Sequence, residues 1–237
     1  MLAFFILCVL VLQTNANTAF HYPLNRYDAD TTEFAFNLLR QTLLGSNVVL
    51  YIPQIELNVG LYVDRVRDQA YILISKNATF EFEEHSRCVE WDKEIVCMGS
   101  NVMDYFLEAE SKLVSLVHKT KFQNPNANLI LVGHSKGASI ASILALSKPK
   151  LFSLILFGCP PTGNDAFNRK LKAYSKSLVH VVWKDDPVPI AKQVSDRFVA
   201  LTPFIRHLNK SFYKVEKNAT LTVMEAQNLM YHYRYFE

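Results

Sequence analysis

The segment from Gly133 to Gly137 reads Gly-His-Ser-Lys-Gly, a G-x-S-x-G pentapeptide. An apolar run precedes it and a run of small residues follows it, which is the strand–turn–helix context that this motif requires. Side chains two residues on either side of the serine would collide in so sharp a turn, so both positions must be glycine. The pattern predicts that Ser135 is a nucleophile at the carboxyl edge of a sheet, where a helix N-terminus favours developing negative charge.

A serine hydroxyl of ordinary pKa needs a histidine base that is oriented by a carboxylate. In hydrolases that use this motif, the acid and then the base follow the serine along the chain. The acid candidates are Asp185 and Asp186, which follow an apolar run. On position alone, an aspartate at the end of a strand is as often a loop cap as a catalytic acid. His180 precedes both aspartates, which leaves His207 and His232 as candidate bases.

The surroundings of the two histidines favour His232. His207 runs into a glycosylation sequon at Asn209, which fits an exposed loop better than a cleft. His232 lies among Tyr231, Tyr233 and other aromatic residues. Aromatic neighbours can fix an imidazole ring and exclude water from it.

The elements that must position these residues alternate along the chain. Short continuous apolar strands separated by amphipathic helices predict an α/β fold whose mostly parallel sheet carries helices on both faces. The predicted strands are residues 48–52, 61–66, 70–75, 129–132, 151–157 and 178–183, and the predicted helices are residues 30–44, 102–121, 138–146 and 165–175. No Ser/Gly/Pro-rich linker interrupts the pattern, so we expect one domain.

The N-terminus has the pattern of a secretory signal peptide. Residues 2–12 are uninterrupted apolar residues, and polar and small residues follow as far as Ala16. The run is shorter than the roughly 20 residues that span a bilayer, so we expect no transmembrane segment in the mature chain. Residues 1–16 are therefore predicted to be removed, with Ala19 as a second cleavage position, which leaves a secreted domain of residues 17–237. The alternative is a buried N-terminal strand or helix.

Secretion changes how the cysteines are interpreted. Cys8 would leave with the signal peptide, and Cys88 and Cys97 flank eight residues that can form a hairpin. In an oxidising compartment these two are the natural disulfide pair, which leaves Cys159 buried and unpaired. Three Asn-x-Ser/Thr sequons agree with a secretory route. They are Asn77, Asn209 and Asn218.

Composition excludes several classes of function. In 237 residues, 12% aromatic content and 50% hydrophobic content do not suit a disordered chain. The 25 basic and 22 acidic residues give a net charge of only +3, so no nucleic-acid partner is expected. No Cys/His zinc spacing and no phosphate-binding glycine loop occur, so neither a metal nor an organic cofactor is implied. We expect a monomer.

Four stretches resemble the class 3 (fungal-lipase-like) α/β-hydrolases, in that family's order. They are GHSKGAS at 133–139, LFGCPPTGNDAF at 156–167, VVWKDDPVPI at 181–190 and MYHYRYF at 230–236. The resemblance implies an α/β-hydrolase fold and a triad in which Asp186 is the acid and His232 the base for Ser135. It covers residues 60–237.

The chain departs from that family's pattern around the predicted oxyanion hole. Lys136 stands where the family usually has leucine, although its backbone N–H can still serve as a donor. The family's Arg-Gly-Ser/Thr turn is replaced by Ile-Ser-Lys-Asn from position 74, so either Ser75 or Lys76 must supply the other donor. Residues 78–87, with Phe80 and Phe82, take the place of the family's lid; the alternative is an ordinary hairpin.

The resemblance implies a secreted serine ester hydrolase that acts on acylglycerol lipids, at a lipid–water interface. Phospholipids, galactolipids and feruloyl esters remain alternative substrates of the same fold, because the lining of the pocket decides the substrate. The alternative from another class is a lipase-like secreted binding protein without catalysis. The altered oxyanion turn and Lys136 are the features that favour it.

Overall fold

The computed structural model describes residues 29–76, 85–182, 186, 188–190, 205–206 and 212–213. The strands are β1 (Val48–Ile52), β2 (Leu57–Asp64), β3 (Gln69–Lys76), β4 (Ser86–Trp91), β5 (Glu94–Gly99), β6 (Asn128–His134), β7 (Phe152–Phe157), β8 (Ser177–Val181), β9 (Ile205–Arg206) and β10 (Phe212–Tyr213). The α-helices are α1 (Ala29–Leu43), α2 (Ser100–Gln123), α3 (Lys136–Ser147) and α4 (Asp165–Tyr174).

Six strands form one sheet in the order β1-β2-β3-β6-β7-β8. β1, β2 and β3 are antiparallel neighbours, whereas β3, β6, β7 and β8 pair in parallel. The parallel half needs crossover connections, and α2, α3 and α4 supply helices for them. The prediction of an α/β fold with a mostly parallel sheet is confirmed.

Helices cover both faces of this sheet, as the continuous apolar strands predict. On β3, Tyr71 and Leu73 pack in a cluster with Leu39 of α1, on one face. Ile72 and Ile74 belong to the cluster that α2, α3 and α4 cover on the other face. Because successive strand side chains point to opposite faces, a strand covered on both sides must be apolar throughout.

The predicted start of β2 at residue 61 is wrong, since the strand begins at Leu57. A 3₁₀ turn with Glu56 in a left-handed conformation (φ 49°) reverses the chain directly before it. Gly60, which interrupts the apolar pattern in the sequence, lies where α1 crosses the strand. A Cβ at Gly60 would lie 2.3 Å from Thr42 Oγ1, so close helix packing accounts for the glycine.

Strands β4 and β5 form a separate antiparallel hairpin that Cys88 and Cys97 close with a disulfide, as predicted. The two cysteines are directly opposite in the register. Its turn residues Asp92 and Lys93 both have positive φ, 50° and 64°, as in the tight turns that match strand twist. Cys159 is free and buried, and burial raises the pKa of its thiol to about 11, which disfavours the thiolate form that reacts.

Polar contacts fasten this hairpin to α4. Lys170 Nζ lies 3.1 Å from the Asp92 carboxylate, and the Tyr174 hydroxyl donates to the same carboxylate at 2.7 Å. These hydrogen bonds, Tyr174's above all, hold the pKa of Asp92 below its ordinary value. Asn164 caps α4 by accepting from Phe167 N and donates its side-chain amide to the Ile95 carbonyl. Asn164, in the Gly-Asn turn noted in the sequence, therefore links the β4–β5 hairpin to α4.

We expect the double variant Cys88→Ser/Cys97→Ser to lose about 2–3 kcal/mol of unfolding free energy, because the disulfide closes only a short loop in the unfolded chain. Denaturant unfolding of wild type and variant measures the difference. Peptide mapping of the wild type that found both thiols free, or either one joined to Cys159, would contradict the pairing.

Several predictions concern residues outside the described part of the chain. These are the signal peptide at 1–16 and the residues Asn77, Asn209, Asn218, His207 and His232. Residues 78–84 of the expected lid segment are also outside it, while Ser86 and Arg87 belong to β4, so the segment's last two residues are part of the hairpin. None of the described helices is long and apolar enough to span a membrane.

Candidate active site

Ser135 lies in the turn between β6 and α3 in a conformation that few side chains adopt. Its φ is 54° and its ψ is −130°. The backbone on both sides holds it there, because its N–H donates to the Phe157 carbonyl (3.0 Å) and its carbonyl accepts from the Ala138 N–H (2.9 Å). The side chain is half-buried at the carboxyl edge of the parallel strands. Strain of this kind persists only where the surroundings enforce it, as at functional sites.

Both glycines of the pentapeptide are required sterically, as the motif predicts. A Cβ on Gly133 would lie 2.5 Å from the Cα of Ala138, across the turn. A Cβ on Gly137 would lie 2.3 Å from the carbonyl oxygen of Ile74. The first turn of α3 therefore rests directly on the end of β3, which brings the nucleophile turn against the segment expected to supply the other oxyanion donor.

Ser75 is the better placed of the two residues expected to supply that donor. It pairs in register with His134, the residue before Ser135, and its Cα would lie 3.2 Å from a Cβ on Gly137. Ser75 is 0% exposed, and within the described ranges its Oγ is the one buried side-chain polar atom without a hydrogen-bond partner. An unsatisfied buried hydroxyl costs about 1–3 kcal/mol. A hydroxyl in this position keeps its capacity to donate a hydrogen bond.

Asp186, the expected acid, follows the end of β8 by five residues and is buried. Its carboxylate is 1% exposed, and Oδ1 accepts from the Val188 N–H at 2.9 Å. β7 lies between β6 and β8 in the sheet, and backbone hydrogen bonds join the three strand ends. The Phe157 carbonyl accepts from the Ser135 N–H, and the Gly158 N–H donates to the Val181 carbonyl at 2.9 Å. The topology thus brings Ser135 and Val181, the last residue of β8, to one edge, and Asp186 follows Val181 by five residues, whereas Asp185 is outside the described residues.

His180 was excluded as a base because it precedes the candidate acids, and in the structure it helps to hold a loop of the fold in place. It is 2% exposed on β8, and its Nε2 accepts the Cys159 N–H at 3.2 Å. The same loop is fixed by Thr162, whose Oγ1 lies 2.8 Å from Ser139 Oγ on α3 and 3.0 Å from the Pro160 carbonyl oxygen. These contacts hold the loop after β7 beneath the first turns of α3.

Tyr105 is a residue near the site that sequence reasoning missed. It lies on α2, and the ammonium groups of Lys76 and Lys136 both lie over its ring. Lys76, the other residue expected to supply an oxyanion donor, thus has its side chain on this ring. Tyr105 carries no motif and lies far in sequence from both lysines, so only the packing of α2 against the sheet brings the three together.

No group of three His, Cys, Asp or Glu side chains that could hold a metal ion occurs within the part of the chain described by the structure.

Comparison with known proteins relates this chain to lipases. The profile of the family described as "Lipase (class 3)" matches residues 73–195. A curated relative, secreted mono- and diacylglycerol lipase 1 of Fusarium solani, is 32% identical over 98 residues, which are 38% of this chain and 29% of that protein. The matched stretch is thus under a third of the relative's length.

Solved structures share the fold at low sequence identity. Lip2 lipase from Yarrowia lipolytica superposes with a TM-score of 0.67 at 15% identity, over 89% of this chain and 94% of that one. A lipase from Rhizopus microsporus var. chinensis gives 0.56 at 14% identity, over 69% of each chain. At these identities, the likeness shows a common α/β-hydrolase fold.

Proposed function

The chain belongs to the class 3 lipase family, and on that premise we propose that it is a secreted serine ester hydrolase that acts on acylglycerol lipids. The observation that carries the proposal is Ser135, held at φ 54° between a buried strand and a helix N-terminus by two glycines that leave no room for a Cβ. Such a turn has a clear use in exposing a nucleophile to an acyl carbon.

In the proposed reaction, Ser135 Oγ attacks the ester carbonyl as its proton passes to His232. The tetrahedral intermediate then collapses: the bond to the alcohol oxygen breaks, and His232 returns the proton to the departing alcohol. Water repeats both steps on the acyl-enzyme and releases the fatty acid. Asp186, buried and fixed by the Val188 N–H, would orient the imidazole and stabilise its protonated form.

The oxyanion of that intermediate would be held by two donors from neighbouring segments. One is the backbone N–H of Lys136, the first residue of α3, where amide hydrogens have no acceptor within the helix. The other is the hydroxyl of Ser75, whose buried oxygen has no hydrogen-bond partner among the residues that the structure describes. Donors aimed at the charge that develops in the transition state are the largest source of rate in such sites.

We expect Ser75→Ala to lower kcat by about 10²–10³, the usual effect of losing one oxyanion donor. The free energy of unfolding should stay unchanged or rise, because the variant removes a buried hydroxyl for which the described part of the chain offers no hydrogen-bond partner. Initial rates on a soluble ester and denaturant unfolding measure the two quantities. Loss of stability with full activity would instead mean that Ser75 is only a packing residue.

Acylglycerols are proposed because the curated relative is named a mono- and diacylglycerol lipase, and secretion because that relative is named secreted. The disulfide between Cys88 and Cys97 agrees with an oxidising compartment. The signal peptide at 1–16, glycosylation at the three sequons and action as a monomer at a lipid–water interface complete the proposal.

The test is a substrate panel on the purified, secreted protein. Tri-, di- and monoacylglycerols, phospholipids, galactolipids and a feruloyl ester are compared, together with a short-chain nitrophenyl ester that reports turnover directly. The proposal requires turnover that is highest on an acylglycerol and lost in Ser135→Ala. A protein that binds these lipids but hydrolyses none of them would instead be the non-catalytic binding protein.

A further inference from the structure

Four chain segments meet at the edge of the sheet opposite Ser135, where the parallel strands begin. They are the turn between β2 and β3, the end of α2 with the loop to β6, the loop from α3 to β7, and the end of α4 with the loop to β8. β6, β7 and β8 begin side by side. The Asn128 N–H donates to the Asp68 carbonyl at 2.7 Å, and the Lys150 N–H donates to the Tyr174 carbonyl at 2.6 Å, so the segments form one surface.

This surface, made of residues 64–68, 118–127, 147–151 and 172–176, is strongly basic, and we call it the basic end. It holds eight of the chain's 25 basic residues but only two of its 22 acidic ones. The remainder of the chain has more acidic than basic residues. Because neighbouring strands lie about 4.8 Å apart, the five strands from β2 to β8 spread this charge over a surface about 19 Å wide.

Part of this charge stabilises the fold. Lys121 Nζ and Lys150 Nζ donate to backbone carbonyls of the adjoining loops at 3.0 and 3.3 Å, as suits cations beside the C-termini of helices. Arg65 and Lys119 are different. Both are exposed, and among the described residues the side chain of neither has a hydrogen-bond acceptor or a carboxylate partner. These two charges are therefore available to a partner of the protein.

Two apolar side chains protrude from the same end. Phe122, in the last turn of α2, is 88% exposed, and Val66, in the β2–β3 turn, is 81% exposed; no other large hydrophobic residue of the described chain is exposed as much. Asp64 Oδ1 accepts from the N–H groups of Val66 (3.0 Å) and Arg67 (3.1 Å), which fixes the turn. Residues of this turn and of the loop after α2 line one cavity, so the two protruding side chains belong to adjoining segments.

The combination of charge and apolar side chains fits an anionic phospholipid surface. Each lysine or arginine close to such a surface is attracted by it, and an exposed aromatic or aliphatic side chain gains free energy when it leaves water for the headgroup and acyl boundary. A sulfated polysaccharide would match the charges equally well, but it would leave Phe122 and Val66 in water.

We propose that the basic end docks the protein on an anionic phospholipid bilayer, with Phe122 and Val66 inserted among the headgroups. Ser135 lies at the opposite edge of the sheet, so the docked protein presents the Ser135 turn to the solution. The bilayer then retains the protein at a surface and is not the source of its substrate. Docking is therefore a property separate from the proposed ester hydrolysis.

The test is sedimentation of the purified protein with vesicles of ether-linked phospholipids, which contain no ester for it to hydrolyse. Vesicles of phosphatidylcholine alone are compared with vesicles that also contain phosphatidylserine. We expect binding to the anionic vesicles alone, and we expect added salt to weaken it, because exposed charges are screened. Equal binding to both kinds of vesicle, or binding to neither, would overturn the inference.

The charges are tested one at a time. Arg65→Gln and Lys119→Gln should each weaken binding to the anionic vesicles about fivefold, the effect of one cation close to an anionic surface. Lys112→Gln is the matched control, because it removes the same charge from α2 about 15 Å before Phe122, which is beyond the Debye length in physiological salt. A control that lost as much binding would overturn the inference, since net charge would then explain the attraction.

The apolar contact is tested by Phe122→Ala, which should weaken binding about tenfold because less apolar surface enters the bilayer. Leu107→Ala is the matched control: Leu107 is also exposed (48%) on α2, but it lies near the other end of the helix. Wild-type binding by Phe122→Ala, together with displacement of the protein by heparin, would show that the partner is a sulfated polysaccharide and that the proposed bilayer docking is wrong.

Turnover of a soluble ester by the same variants separates this inference from the proposed function. All of them should turn over the ester as the wild type does, because the basic end lies away from Ser135. A wild type that bound anionic vesicles but hydrolysed no ester would refute the proposed function and leave the docking inference in place. An active enzyme that bound no vesicles would do the reverse.

Discussion

Replacing Ser135 with alanine is expected to reduce ester hydrolysis by about 10⁴-fold or more and to leave the protein folded, because the members of a catalytic triad act as a unit. The hydroxyl oxygen of Ser135 is the atom that would bond to the acyl carbon. Among the described residues, Ser135 alone combines a positive φ with a position at the start of a helix that follows a buried strand, so no neighbouring serine has the same conformation. Alanine keeps the Cβ that the turn already accommodates.

The measurement is turnover of a soluble ester together with labelling by a fluorophosphonate. Ser147→Ala is the matched control, because Ser147 lies at the other end of α3 and its hydroxyl donates to the Leu144 carbonyl. The control should label and turn over as the wild type does. Labelling at any serine other than Ser135 would show that the nucleophile has been assigned wrongly.

Replacing His232 with alanine is expected to abolish nearly all activity, whereas His207→Ala should keep most of it. Both histidines follow Asp186 in the sequence, so the His207→Ala variant serves as the control for His232→Ala. A neutral imidazole must accept the proton of Ser135, so activity should fall as the pH drops below the ordinary pKa of a histidine side chain, where the imidazolium can no longer accept it.

A pH–rate profile of the wild type and the turnover of both variants measure these effects. In the His232→Ala variant, the remaining rate should lose this acid limb, because the group that titrates has been removed. An inactive His207→Ala variant beside an active His232→Ala variant would show that the C-terminal assignment is wrong, and the choice of Asp186 as the acid would then have to be revised with it.

The amino-acid sequence alone determined the fold class and the strand–turn–helix around Ser135, because both depend on local patterns. Continuous apolar strands are required wherever a sheet is covered on both faces, and the helices between them follow from apolar spacing. Gly133 could be predicted as obligatory from one turn of chain, because the atom that a Cβ would meet there belongs to Ala138, whereas the motif gave Gly137 without showing that its close neighbour is the Ile74 carbonyl of β3. The hairpin between Cys88 and Cys97 was equally local, since eight residues leave few other ways to join two cysteines.

Contacts between distant segments were decided only by the tertiary structure. The sequence offered Ser75 and Lys76 equally as oxyanion donors, and the feature that leads us to propose Ser75, the burial of its Oγ without a partner among the described residues beside the first turn of α3, is a property of the packing. Tyr105 carries no motif, and its place beneath two ammonium groups depends on how α2 packs on the sheet. A sequence pattern records which face a residue takes on its own element, whereas the neighbours it meets are set by the packing of whole elements against one another.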